Sequence, residues 1–156
     1  GQPQKPCMAY TNASFVDISG WLDWPVEIRD PSDKYTYQYD CYGSRTRCGN
    51  GTTVCQWISE GPSLLWQAGG PENGSLWYTN TFNPDPFVAD FSLSIFYPST
   101  LLRQSKVSII VDSKYKNVTF LPNDVSGPVE GPTEQYNFIL MVPCPILGEK
   151  GAKQVC

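Results

Sequence analysis

Hydrophobic and polar positions alternate along this chain in short bursts. Tyr35-Thr36-Tyr37-Gln38-Tyr39 sets an aromatic ring at every second position, and Phe91-Ser92-Leu93-Ser94-Ile95-Phe96-Tyr97 keeps the same period, which sends successive side chains to opposite faces of a β-strand. Two uncharged arms, Val107-Ser108-Ile109-Ile110-Val111 and Tyr136-Asn137-Phe138-Ile139-Leu140-Met141-Val142, are rich in β-branched and aromatic residues and read as core strands. Shorter candidates are Cys7–Tyr10, Ser14–Ile18, Gln56–Ile58, Ser63–Gln67 and Ser75–Tyr78. Between them stand turn-forming clusters: Asp30-Pro31-Ser32-Asp33, Asn50-Gly51, Gly69-Gly70-Pro71-Glu72-Asn73-Gly74, Asn83-Pro84-Asp85-Pro86, and a loop running from Pro122 to Pro132. No apolar pattern holds a 3.6-residue period for three turns, so no helix is predicted. The expectation is an all-β fold, an antiparallel β-barrel or sandwich of short strands stapled by disulfides. The 156 residues suit one domain with a sizeable core. Near the C-terminus the segment Gly148–Lys153 reads as polar and mobile.

Charged and hydroxylated residues flank the two apolar arms. Arg103 stands at the start of the first, while Glu130 and Tyr136 stand at the start of the second. With the arms paired antiparallel, a guanidinium, a carboxylate and a phenol are expected to meet at one end of a sheet, a cluster suited to hydroxyl-rich ligands. The plainer alternative makes Arg103 and Lys106 solvated charges on a sheet edge, where they discourage strand addition.

A net charge of -4 and a pI near 4.7 argue against a nucleic-acid binder, which needs a basic footprint. No apolar run reaches the roughly 18 residues of a membrane span. The sequence reads as a soluble piece from which any signal peptide or anchor has been cleaved or omitted. Cys7, Cys41, Cys48, Cys55, Cys144 and Cys156 form an even set, and N-x-S/T triplets begin at Asn12, Asn50, Asn73 and Asn117. Together these point to the secretory pathway, with disulfides and N-glycans. Metal binding is not expected, because His is absent and no CxxC occurs; nor is any cofactor. Without His or a thiol expected to stay free, catalysis has little to work with. Carboxylate pairs such as Asp30 and Asp33 sit in turns where solvation explains them, so no catalytic residue is assigned. Trp21, Trp24, Trp57, Trp66 and Trp77 read mainly as packing groups.

Several separate stretches resemble the mannose 6-phosphate receptor homology domain, a lectin family whose fold is a flattened β-barrel. Tyr37-Gln38-Tyr39-Asp40-Cys41-Tyr42-Gly43 is similar to the family's aromatic strand ending in its second cysteine, with Cys7 as the first. Cys48 and Val54-Cys55-Gln56 resemble its third and fourth cysteines, the last followed by a sugar-binding Gln. Arg103-Gln104-Ser105-Lys106-Val107-Ser108-Ile109-Ile110-Val111 resembles the Arg-bearing strand, and Glu130-Gly131-Pro132-Thr133-Glu134-Gln135-Tyr136 keeps the spacing from essential Glu to essential Tyr. The resemblance implies a single domain of this type over 1–156, with a core over about 7–144 and a C-terminal extension over 145–156, and with Gln56, Arg103, Glu130 and Tyr136 gripping a mannose ring. Arg donates a fork to vicinal hydroxyls, Glu accepts, Gln does both, and the Tyr hydroxyl completes the set. Six cysteines allow fifteen connectivities. Proximity and the resemblance together favour Cys7–Cys41 and Cys48–Cys55, leaving Cys144–Cys156. The chain departs from the family at Val111 and Glu134, where cysteines are normal, so two family bridges are incomplete or missing.

The function implied is that of a lumenal or extracellular lectin-type module binding mannose-bearing N-glycans or glycoproteins, phosphorylated or not, for sorting or quality control. The alternative is an interaction or scaffold domain of a trafficking or membrane assembly protein, with sugar binding lost and an aromatic surface meeting a protein partner. Either would sit in the secretory lumen or outside the cell, as part of a larger membrane-anchored protein.

Overall fold

In the computed structural model, the residues described are 7–10, 15–30, 33–61, 64–70, 80–81, 92–98, 103–112, 114–122, 134–143, 146–149 and 151–154. Among them there is no helix, and thirteen strands form three sheets. The fold is all-β.

The first sheet orders β3 (Val26–Arg29), β4 (Tyr35–Tyr39), β5 (Val54–Ile58) and β6 (Leu65–Gly69) as an antiparallel meander. The second has the order β10 (Thr119–Pro122), β11 (Glu134–Val142), β9 (Arg103–Val111), β8 (Ser92–Pro98), β7 (Asn80–Thr81). A smaller third sheet joins β1 (Met8–Tyr10), β2 (Phe15–Asp17), β12 (Ile146–Glu149) and β13 (Gly151–Gln154). The first two sheets pack their inner faces into one core. Tyr37 and Tyr39 from β4 meet Phe138, Phe120 and Tyr97 from β11, β10 and β8, with ring centroids 5.1–5.6 Å apart. At its centre the fully buried hydroxyls of Tyr39 and Tyr97 share a 2.8 Å hydrogen bond, satisfying each other where water is excluded. No sheet closes on itself into a barrel among the described strands.

Two expectations need correction. The arms β9 and β11 pair parallel, in register from Arg103↔Glu134 to Val142↔Val111. After β9 the chain turns at Asp112 and returns as β10, which runs antiparallel to β11, so β11 lies slotted between the arms of a wide hairpin. Parallel pairing brings the starts of both arms to the same end of the sheet; antiparallel pairing would have separated them. β9 is also an interior strand, flanked by β11 and β8, so Arg103 and Lys106 guard no edge. The second correction concerns the C-terminal segment read as polar and mobile. Instead β12 and β13 form an antiparallel hairpin, with Gly148 opposite Phe15 of β2, because an open strand edge recruits backbone whatever its side chains.

Candidate functional site

Tyr37, Gln56 and Trp66 occupy one row across β4, β5 and β6, in register as Tyr37↔Gln56 and Gln56↔Trp66. Residues opposite one another on neighbouring strands project from the same face. The Gln56 side chain is 1 % exposed, and its Nε2 donates to the Tyr37 hydroxyl at 3.1 Å. Burial, reinforced by the neighbouring Tyr136 phenol, holds the Tyr37 phenol well above the usual range, although the Gln56 bond works the other way. Tyr37 therefore stays neutral at physiological pH, accepting from Gln56 and keeping its own hydrogen for donation.

The facing sheet brings its polar groups to the same row. The Tyr136 ring lies 5.5 Å from that of Tyr37, and Tyr136 is 5 % exposed. The Arg103 guanidinium stands over Trp66, 5.5 Å from the ring centroid, close enough for a cation–π attraction. Two residues further along both strands, buried Ser105 donates from Oγ to the Ala68 carbonyl at 2.8 Å, a bond that fixes β9 against β6 and so fixes Arg103 over Trp66. Three of the four residues singled out from the sequence, Gln56, Arg103 and Tyr136, are thus gathered through Tyr37 and Trp66. Glu130 lies outside the described residues. Gln56 and Tyr136 are buried, while Arg103 is half-buried.

Tyr37 and Trp66 were read from the sequence as strand and packing residues. The signal that identifies them is register: each faces Gln56 across one strand pair. Local spacing does not contain that information.

A concave region lies elsewhere, beyond the end of β4. A cleft of about 380 Å³ is lined by Ser19, Leu22, Asp23, Trp24, Tyr42, Ser44 and Arg45. Both walls are held from within. Fully buried Asp40 accepts backbone N–H bonds from Tyr42 (3.0 Å), Ser44 (3.2 Å) and Arg45 (2.8 Å), and the Trp24 indole donates to the Ser19 carbonyl at 2.8 Å. Tyr42 is 47 % exposed.

The Cys7–Cys41 and Cys48–Cys55 bridges are both present; Cys144 and Cys156 lie outside the described residues, as do Asn12 and Asn73. Asn50 and Asn117 are exposed. The segment between Cys48 and Cys55 is anchored further by the Arg47 guanidinium, 4.6 Å from the Trp57 ring centroid, and by the Arg47 amide bonded to Gln38 Oε1 at 2.7 Å. Among the described residues no group of three or more His, Cys, Asp or Glu side chains is placed to hold a metal ion. Comparison of the chain with known protein families finds no family model that matches. Comparison with curated proteins finds no match either.

Proposed function

We propose that the chain is a non-catalytic lectin-type module that binds mannose-bearing N-glycans in the secretory lumen or outside the cell. The observation that carries this reading is the meeting of Gln56, Arg103 and Tyr136 from three strands of two facing sheets, joined through Tyr37 and Trp66. An amide, a guanidinium, two phenols and an indole face supply the donors, acceptors and apolar plane that a pyranose needs. The Gln56 amide, held by Tyr37, offers its oxygen in a fixed direction. In a buried site an epimer that mismatches such a group leaves it unpaired, at a cost of about 1–3 kcal/mol, which is the basis for separating mannose from glucose. The sugar enters from the Arg103 side, where the site is least buried. In this reading Glu130 supplies the remaining acceptor. The two bridges suit the oxidising compartment such a role requires.

Titration of the purified chain with methyl α-mannoside, followed by tryptophan fluorescence, tests the reading, since Trp66 underlies Arg103. A saturable change with mannoside and none with methyl α-galactoside is expected. Identical responses to both sugars, or none to either, would overturn it.

The cleft beside Tyr42 favours a second reading, an interaction domain of a trafficking or assembly protein. Its pinned walls, exposed ring, carboxylate and guanidinium suit a protein partner, and an Arg45→Glu variant that loses a partner while keeping mannoside binding would separate the two roles.

A further inference from the structure

Thr52 is 0 % exposed, and its Oγ1 is buried without a hydrogen-bond partner among the described residues. Its carbonyl is satisfied, accepting from the Thr46 hydroxyl at 3.3 Å, so the side-chain hydroxyl is what the fold leaves over. A buried hydroxyl with nothing to bond is a standing cost that valine, of nearly the same shape, would avoid. The hydroxyl therefore serves the folded state poorly.

It is also the third residue of Asn50-Gly51-Thr52, a triplet that directs N-glycosylation. In that reaction the Asn carboxamide is the acceptor, and the Thr hydroxyl two residues on must reach the transferase with it. In the folded chain they cannot. Asn50 is exposed, yet the Gly51 amide is bonded to the Gly43 carbonyl at 2.8 Å, Gly49 and Gly51 hold φ near +90°, and the Cys48–Cys55 bridge closes the loop around them. By contrast Asn117 is exposed with Thr119 half-buried, its hydroxyl donating locally to the Asn117 carbonyl at 3.2 Å.

We propose that Asn50 is a glycosylation site open only before the Cys48–Cys55 loop closes, the Thr52 hydroxyl serving the unfolded chain and then being sequestered. The Asn50 carboxamide nitrogen forms a bond to the anomeric carbon of a lipid-linked oligosaccharide diphosphate. The bond from that carbon to the diphosphate oxygen breaks, the lipid diphosphate leaves with the electron pair, and the nitrogen gives up one proton to a base of the transferase. No oxidant or reductant takes part. Closing the bridge first removes the acceptor, so modification precedes disulfide formation at this loop. The inference rests on the secretory compartment and is independent of any sugar bound by Gln56 and Arg103.

The test uses the whole chain made without glycans, in two forms: folded with its bridges closed, and reduced and unfolded. Each is incubated with microsomal oligosaccharyltransferase and lipid-linked oligosaccharide, and occupancy at Asn50 is read by peptide mass. At least a tenfold higher occupancy of Asn50 in the reduced form is expected. A Thr52→Val chain is expected to lose Asn50 modification in the reduced form while its urea midpoint is no lower than that of the unmodified parent. Equal occupancy of Asn50 in folded and reduced chains, no transfer to Asn50 in either, or a lowered midpoint in Thr52→Val would overturn the proposal.

Discussion

The bond from Gln56 to Tyr37 is the joint on which the candidate site turns, and its weight follows from burial. Both residues are at most 4 % exposed, and the 3.1 Å bond joins their polar ends. Tyr37→Phe keeps the ring packed against Tyr136 and Phe138 but strands a buried amide donor, at a cost of about 1–3 kcal/mol. Gln56→Leu keeps most of the volume and strands the Tyr37 hydroxyl, with a cost of the same order, about 1–3 kcal/mol. The double variant leaves neither group behind. Its loss should be no larger than that of either single change, giving a coupling energy of at least about 1–3 kcal/mol, well above the ~0.5 kcal/mol within which independent sites add. Urea unfolding of the four proteins measures this directly; for a domain of this size each kcal/mol also moves Tm by about 2–4 °C. Strict additivity would show that the amide and the phenol are not paired and would remove the argument that Gln56 is held in one orientation.

The remaining predictions follow from other parts of the fold. Gly69→Ala would set a Cβ 2.9 Å from the Cβ of Tyr97 and 3.0 Å from Thr53 Oγ1; since the Tyr97 Cβ is fixed to its strand, the urea midpoint should drop by the equivalent of ~1–3 kcal/mol. Replacing both cysteines of Cys7–Cys41 by serine reopens a loop with a sequence separation of 34, against 7 for Cys48–Cys55. Chain entropy alone makes the first loss about 4 kcal/mol and the second about 2 kcal/mol, so thermal unfolding should rank them in that order. Burial raises the folded-state pKa of Tyr37, Tyr39 and Tyr97 above the ordinary value of 10.0. The unfolded chain therefore releases these protons first, and stability is fully present below about pH 10 and falls as pH rises toward the folded values. Tyrosinate absorbance at alkaline pH should show a late step that coincides with loss of β-sheet circular dichroism; complete ionisation of every tyrosine near pH 10 in a folded chain would contradict it.

How much of this was legible in the sequence depended on whether the information was local. The run Tyr35–Tyr39 announced β4 because one face meets the core, leaving Tyr37 and Tyr39 buried. The arms β9 and β11 announced themselves by their apolar content. β3 carries a weaker local signal: Val26-Glu27-Ile28-Arg29 alternates half-buried with exposed residues, but the run is only four residues long, between Pro25 and the turn-forming cluster that begins at Asp30. β10 was lost at the edge of a Pro-rich loop. The parallel pairing of β9 with β11, and the hairpin of β12 and β13, lay beyond a local reading, since strand direction and edge recruitment are set by which backbones meet. The site divided along the same line. Gln56, Arg103 and Tyr136 were singled out by resemblance, while Tyr37 and Trp66, which join them, became visible only through cross-strand register and the packing of one sheet on the other.

The central claim is that Gln56, Arg103 and Tyr136 act as one sugar-binding group, and a glycan array tests it most directly. The purified chain, wild type and Arg103→Ala, would be applied to mannose-terminated and galactose-terminated N-glycans, with circular dichroism to establish that both are folded. Binding confined to the mannose-terminated glycans and abolished in folded Arg103→Ala is the predicted result. A folded wild-type chain that binds no mannose glycan, or an Arg103→Ala chain that binds them equally well, would contradict the account.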